Sequence, residues 1–448
     1  MRQYDFVAIG GGSAGLTAAA RAAAAGLKTA LVDRAAIGGL CSLNGCNPKK
    51  VLVRSTELLE EIRRAAIFGL TTGPVEINWS KVIDRKESFA SGVTASAEQS
   101  LKEQGIDLVT GDPKFLGKHS MTVNGTEIEI GSAVIATGST PRSLDFPGAQ
   151  LAKISDDILA LRRPPETLVI IGAGVVAFEF AQVFARLGSK VVILARGNRA
   201  LARHDEEMVQ FLIEYSGGLG VTVLTESTVR SLIATGHRQL RVEYEHEGAG
   251  CVITADFVLN AAGRVPAIRD LCLEVSGIEW DDRGVTFSDF LRSTNASVFA
   301  AGDAHGRLQL SPIASYEGRV VARNLLEGDV ERVDYSSIPQ ALYTVPPLAS
   351  VGLTEAEARK RGLKIYVHRN DMSQWLTFAI IEGKTLARSK VILDPDGRVL
   401  GAHLLCPQAG DLIHIFALAM KFGIPASDLK SMVYAYPTLS SALPHMLG

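Results

Sequence analysis

The segment Gly38 to Lys50, GGLCSLNGCNPKK, sets two cysteines five positions apart in a chain that has five cysteines in all. Sulfur at such a spacing has three chemistries open to it: a reversible disulfide, a metal site, or inert burial. On a regular helix, residues i and i+5 point to different sides with Cα atoms roughly 8.6 Å apart, beyond disulfide reach. A Cys41–Cys46 bridge therefore demands a distorted turn. Gly45, followed by Asn47-Pro48, supplies a permissive backbone and a helix start. A metal site needs further ligands, and no nearby Cys or His completes a set. The redox disulfide is the reading we prefer. Cys251, Cys272 and Cys406 stand in apolar strand or loop contexts and read as buried, inert thiols.

Two glycine-rich stretches add a second chemistry. In YDFVAIGGGSAGLTAAARAAAAGLKTALVD the glycines fall at Gly10, Gly12 and Gly15, and Asp33 ends the following apolar run. Glycine serves a tight turn, close approach of backbone to pyrophosphate, and helix–strand packing, while the acid accepts from a ribose hydroxyl. In TLVIIGAGVVAFEFAQVFARLGSKVVILAR the same places hold Gly172, Gly174 and Ala177, and the second strand ends at Ala195-Arg196 instead of an acid. A carboxylate there would repel a 2′-phosphate, whereas a guanidinium pairs with it. With Arg199 and Arg203 close by, Arg196 argues for NADPH over NADH.

The elements that must position these residues follow from periodicity. Each stretch reads as strand, glycine turn, small-residue helix, strand, so two nucleotide-binding βαβ units are expected. Between them WSKVIDRKESFASGVTASAEQSLKEQG reads as helix, and DLVTGDPKFLG and SMTVNGTEIEIGSAVIATG as strands. From about residue 338, strands such as LARSKVILD and RVLGAHLL alternate with the helical AGDLIHIFALAMKFG, which suggests an α+β domain. At 448 residues two or three domains are expected. A net charge of −2 gives no reason to invoke nucleic acid or an anionic membrane. The first apolar run is too short for a signal-peptide core and no other run is long enough to span a bilayer. Together with the sparse cysteines these point to a cytoplasmic protein.

The ordered set of motifs resembles the FAD-dependent pyridine nucleotide-disulfide oxidoreductases over essentially the whole length. VIATGS, with Gly138, and NAAGRVPA, with Gly263, are similar to the crossings between the FAD and NAD(P) domains of that family, and STNASVFAAGDAHG to its second FAD motif. The resemblance implies two Rossmann-like α/β domains and a C-terminal α+β dimerisation domain, divided as 1–145 and 265–335 for FAD, 146–264 for NAD(P) and 336–448 for dimerisation. It implies FAD and NADPH as cofactors, with Asp303 on the ribitol chain, and a homodimer with shared active sites. Cys46 would face the flavin and Cys41 would exchange with substrate. Lys49, or its neighbour Lys50, would place a cation near the flavin, with Glu179 as its partner. Val175 stands where the glutathione reductases carry a gating tyrosine.

One departure bears on the acceptor. The family's disulfide-reducing members carry a His-Pro-Thr motif and a following Glu that activate the exchanging thiol; here YAYPTLSS puts Tyr436 and Ser441 in those places. A phenol titrates about 3.5 units above an imidazole and is a poor proton acceptor at neutral pH. His445 lies in the short tail and reads as a disordered terminal residue, and His414 reads as packed or at a dimer interface. The expected activity is transfer of electrons from NADPH through Cys41 and Cys46 to a small disulfide or soft metal ion. Direct flavin reduction of quinones, and a redox-sensing role, stay open as alternatives.

Overall fold

The computed structural model describes residues 2–236, 239–383 and 385–448. Its chain divides into one unit of Met1–Val51, Lys81–Ser143 and Gly263–Val333, and a second of Leu52–Ser80, Leu144–Ala262 and Asp334–Gly448.

The first unit is built on β1 (Arg2–Ile9), α1 (Ser13–Ala24) and β2 (Thr29–Asp33), the strand–turn–helix–strand that the glycines announce. β1 is parallel to β2 on one side and to strand Thr126–Ile135 on the other, so the chain reverses direction of travel across the sheet at β1. Such a switch point opens a crevice at the carboxyl ends of the strands. The inner half of β1, Phe6 to Ile9, is fully buried, as strands covered on both faces must be. Strand Val298–Ala300 joins Thr126–Ile135 in parallel, and Ser120–Val123 and Pro113–Gly117 continue the sheet antiparallel. The alanine face of α1 (Ala14, Ala18, Ala19, Ala22) is buried. Small residues there let helix Ser311–Glu327 approach closely: a Cβ on Gly318 would lie 2.6 Å from the Ala14 carbonyl oxygen. After β2 come α2 (Gly39–Asn44) and α3 (Cys46–Arg64), the latter continuing into the second unit.

The second unit repeats the plan with strands Thr167–Ile171 and Lys190–Leu194 flanking helix Val175–Arg186, in a parallel sheet completed by Val221–Leu224 and Phe257–Asn260. Its other large sheet is antiparallel and five-stranded, in the order Gln340–Leu342, Leu348–Gly352, Val399–Leu405, Arg388–Leu393, Tyr366–Asp371. Helix Ala409–Phe422 buries Leu412, Ile413 and Phe416 against it. The expected α+β region is therefore an antiparallel sheet with helices on it. No helix among the described residues is long and apolar enough to cross a membrane.

Candidate active site

The glycines of the two turns answer to different neighbours. Gly10 takes φ +115°, and a Cβ on it would lie 2.2 Å from the Ala136 carbonyl oxygen; one on Gly15 would lie 1.9 Å from that of Gly10. Both glycines are dictated by the chain's own packing. A Cβ on Gly12 meets nothing nearer than Gly39 Cα at 3.7 Å, so no protein neighbour explains that glycine. The space it leaves adjoins the first amides of α1, which lack intrahelical partners, and a pyrophosphate fits there. The second turn repeats the pattern: a Cβ on Gly172, at φ +105°, would lie 2.3 Å from the Ala261 carbonyl oxygen, whereas one on Gly174 meets nothing within 4 Å. Ala177, fully buried, fills the third position with its own methyl.

Asp33 sits at the end of β2. Its Oδ2 accepts from the Gly11 amide at 2.6 Å and its Oδ1 from the Ala35 amide at 2.9 Å, which leaves acceptor capacity for a ribose hydroxyl. In the second unit Arg196 is exposed just past its strand. Arg199 is half-buried, donates to the His204 carbonyl at 3.4 Å and pairs with Glu206 at 3.8 Å. Gly138 and Gly263, at φ +70° and +110°, begin the paired strands Ser139–Pro141 and Arg264–Pro266. There Arg264 Nε donates to Ser139 Oγ at 2.9 Å, and Ser139 Oγ donates to Asp303 Oδ2 at 2.6 Å. Burial pushes the Asp303 carboxyl above its ordinary range, with the Ser139 hydrogen bond opposing.

The distorted turn that a Cys41–Cys46 contact requires is present. α2 stops at Asn44, Gly45 takes φ −135° and ψ −113°, and α3 starts at Cys46. A Cβ on Gly45 would lie 2.8 Å from the Leu40 carbonyl oxygen and 3.2 Å from Cys41 Cα, so only glycine lets the chain fold back so tightly. Both cysteines are free thiols, Cys46 the more exposed. The hydrogen bond from the Cys46 thiol brings Cys41 down to about 6 against the opposing effect of burial, and the Ser311 hydroxyl, the Cys46 amide and the Lys49 charge add to the fall. Cys46 is driven up, first by that shared hydrogen bond and then by burial. The two thiols are thus pulled in opposite directions, charge being favoured on Cys41 and disfavoured on Cys46.

In the second unit Glu179 is buried on helix Val175–Arg186, and its Oε1 accepts from the Tyr343 amide at 2.8 Å. Gln182 Oε1 accepts from the Val345 amide at 2.8 Å, and Arg186 donates to the Val345 carbonyl at 2.7 Å. One helix face therefore reads the main chain of residues 343–345. Sequence reasoning found Glu179 only by resemblance; three polar side chains at i, i+3 and i+7 of an otherwise apolar helix were the signal for its companions. It also missed the buried pair in which His305 Nε2 lies 2.8 Å from Glu317 Oε2, for which the string carries no signal.

Other expectations need correction. Cys272 is exposed, in a left-handed turn between two short 3₁₀ segments, and Cys251 is half-buried on an edge strand; of the three only Cys406 is fully buried. His414 is exposed on its own chain, because its helix turns that position away from the sheet, which excludes the packed reading and keeps the one at a dimer interface. His445 is ordered: it lies edge-on to Trp375 with centroids 5.8 Å apart, between the buried Leu443 and Met446. Tyr436 is 65% exposed and Val175 40% exposed.

Residues 4–318 match the pyridine nucleotide-disulphide oxidoreductase family, and residues 338–447 its dimerisation domain. A mercuric reductase of Bacillus cereus is 30% identical over 98% of this chain and 70% of its own length. A dihydrolipoyl dehydrogenase of Bacillus subtilis is 32% identical over 98% and 97%. The solved Cu(II) complex of the HOCl-induced flavoprotein disulfide reductase RclA from Escherichia coli superposes with a TM-score of 0.90 at 29% identity, covering 100% of this chain and 99% of that one.

Proposed function

Because this chain belongs to the pyridine nucleotide-disulphide oxidoreductase family, we propose that it takes two electrons from NADPH and delivers them through Cys41 and Cys46 to a soft, reducible metal ion, with a small disulfide as the second class of acceptor. The observation that carries this reading is the break at Gly45, which folds the chain back between Cys41 on one helix and Cys46 on the next. FAD, when bound, supplies the group that accepts hydride and passes the electron pair to the cysteines. Gly12 and Asp33 suit its pyrophosphate and ribose, Asp303 its ribitol chain, and Lys49 sets positive charge beside the pair. Gly174, Arg196 and Arg199 suit the phosphates of NADPH. The dimerisation domain supports a homodimer.

A disulfide acceptor is attacked by the Cys41 thiolate, so that a Cys41–substrate S–S bond forms and the substrate's own S–S bond breaks. The departing thiolate then takes the Cys46 proton, and Cys46 displaces the second substrate sulfur from Cys41. That route releases two thiolates in turn, and the Cys46 proton serves only the first, while no imidazole stands in the Tyr436 segment to protonate the second. A metal acceptor imposes no such demand. Two Cu(II) ions take one electron each, the two sulfurs join in one bond, and the Cys46 proton goes to water. The absent His-Glu pair, the Cu(II) complex of the relative and the mercuric reductases among the relatives all favour the metal.

The test is anaerobic, NADPH-dependent reduction of Cu(II), Hg(II) and glutathione disulfide by wild type and by Cys41→Ser. We expect loss of metal reduction by about 100-fold or more in the variant, with unchanged flavin absorbance. Undiminished turnover would mean that electrons leave the flavin without the cysteines, as in a quinone reductase. Removing Arg196 and Arg199 together should weaken NADPH about ten-fold while leaving NADH as it is.

A further inference from the structure

The second unit holds a buried cation that the relay does not use. Lys390, on strand Arg388–Leu393, is 5% exposed at its side chain, and its ammonium lies 3.0 Å from each carboxylate oxygen of the equally buried Asp205. It is also 2.9 Å from Glu207 Oε2 and 3.0 Å from Glu355 Oε2. Arg369, opposite Lys390 on the neighbouring strand, donates to Glu207 at 3.0 Å and also to Glu355. An ammonium taken out of water stays charged only where carboxylates offset the lost hydration, so the acids around Lys390 and the lysine itself fix each other's places. Two of those acids, Asp205 and Glu207, lie just past Arg196 and Arg199 in the same unit. There the contacts alternate along the chain. The Arg199 guanidinium donates to the His204 carbonyl at 3.4 Å and pairs with Glu206 at 3.8 Å, while the residues interleaved with these, Asp205 and Glu207, meet Lys390. Asp205 further accepts from the Met208 amide at 3.4 Å and so caps helix Glu206–Gly218. Earlier in the loop the Leu201 amide donates to the carbonyl of Ala173, next to Gly174. The loop that carries the arginines is thus tied to the glycine turn at Leu201 and to Lys390 at Asp205.

We propose that Lys390 is a positioning residue for nucleotide selection: by holding Asp205 and Glu207 it keeps His204 and Glu206 where they hold Arg199 for the 2′-phosphate of NADPH. Lys390 itself touches no reacting atom. A guanidinium discriminates by placement, since two parallel N–H bonds to a phosphate require the fork to be aimed before the nucleotide arrives. A surface arginine without supports spreads over many rotamers, and the ordering it then needs on binding lowers the affinity for NADPH. NADH offers no 2′-phosphate, so its binding is insensitive to where Arg199 points. The inference rests on the assignment of Arg199 to the 2′-phosphate made above, and is independent of the cysteines and of the acceptor.

The test measures binding of NADP⁺ and NAD⁺ to the oxidised holoenzyme by calorimetry, in which no electrons move. We expect Lys390→Met to lower the preference for NADP⁺ about five-fold, through NADP⁺ alone, and Lys390→Arg to return it to within about two-fold of wild type. In an Arg199→Ala background, whose own preference is already lowered, Lys390→Met should change it by less than about two-fold, because nothing is left for Lys390 to act through. A Lys390→Met preference within about two-fold of wild type, both nucleotides weakened alike, or losses that add in the Arg199→Ala background each overturn the proposal. Arg199→Ala with the wild-type preference removes the assignment of Arg199 and the proposal with it. A preference lost in Arg199→Ala and kept in Lys390→Met removes the role of Lys390 alone. Should Lys390→Met fail to fold, Asp205→Asn makes the same comparisons, since asparagine keeps the helix cap and gives up the ionic hold.

Discussion

Gly174→Ala separates a glycine kept for a ligand from one kept for the fold. Gly174 has φ −92° and ψ −171°, which alanine adopts without strain, and an added Cβ meets nothing within 4 Å. Alanine also restricts the unfolded chain, so the variant should be as stable as wild type or firmer by about 0.4–1 kcal/mol. The methyl occupies the space at the helix start where the nicotinamide pyrophosphate is proposed to lie. Losing one charge-assisted hydrogen bond there costs about 2 kcal/mol, or roughly 30-fold in affinity. NADPH binding is read by fluorescence titration, with flavin absorbance and thermal melting followed in the same preparation. The expected result is weakened NADPH with intact flavin and melting. Gly172→Ala is the contrast, since its Cβ would lie 2.3 Å from the Ala261 carbonyl oxygen and the variant should fold poorly. NADPH binding within two-fold of wild type, or a Gly174→Ala protein that melts well below it, would refute the assignment.

Gly45→Ala forces a Cβ to within 2.8 Å of the Leu40 carbonyl oxygen, so α2 and α3 must part; we expect destabilisation of about 1–3 kcal/mol and a Cys41 alkylation midpoint moved upward, whereas Gly73→Ala, which meets nothing, changes neither. Acid should loosen the second unit through His204, which burial, helped by His403, holds at about 4. Unfolded, an imidazole binds a proton below about 6.5, so stability is lost as pH falls from there toward 4, by at most about 3 kcal/mol. Urea melts from pH 7 to 4 should show that slope, and His204→Gln should flatten it.

The residues legible in the string were those whose reason is local. Gly10 and Gly172 announce a turn because the chain leaving a neighbouring strand crowds them and Gly15 because the Gly10 carbonyl does, each by a rule common to βαβ units, and Gly45 was legible because helix geometry alone forbids the Cys41–Cys46 contact without a break. What the string hid depends on elements brought together late. The buried His305–Glu317 pair forms only because helix Ser311–Glu327 carries Glu317 to the Gly302–His305 turn, and Cys272 was misplaced because an apolar neighbourhood in sequence says nothing of a turn that points the thiol outward. His445 was misjudged for the same reason: its order comes from Trp375, not from its position near the end of the chain.

Helix Val175–Arg186 grips residues 343–345 through their peptide groups: Glu179 and Gln182 each take an amide, and Arg186 a carbonyl. A peptide group is the same whatever side chain it bears. These contacts are therefore indifferent to which amino acids other than proline occupy positions 343 and 345, while an exchange at any of the helix's own three positions leaves a main-chain group unmatched. In a saturation library the two sides of this one contact should look opposite, permissive on the strand-like side and intolerant on the helical one.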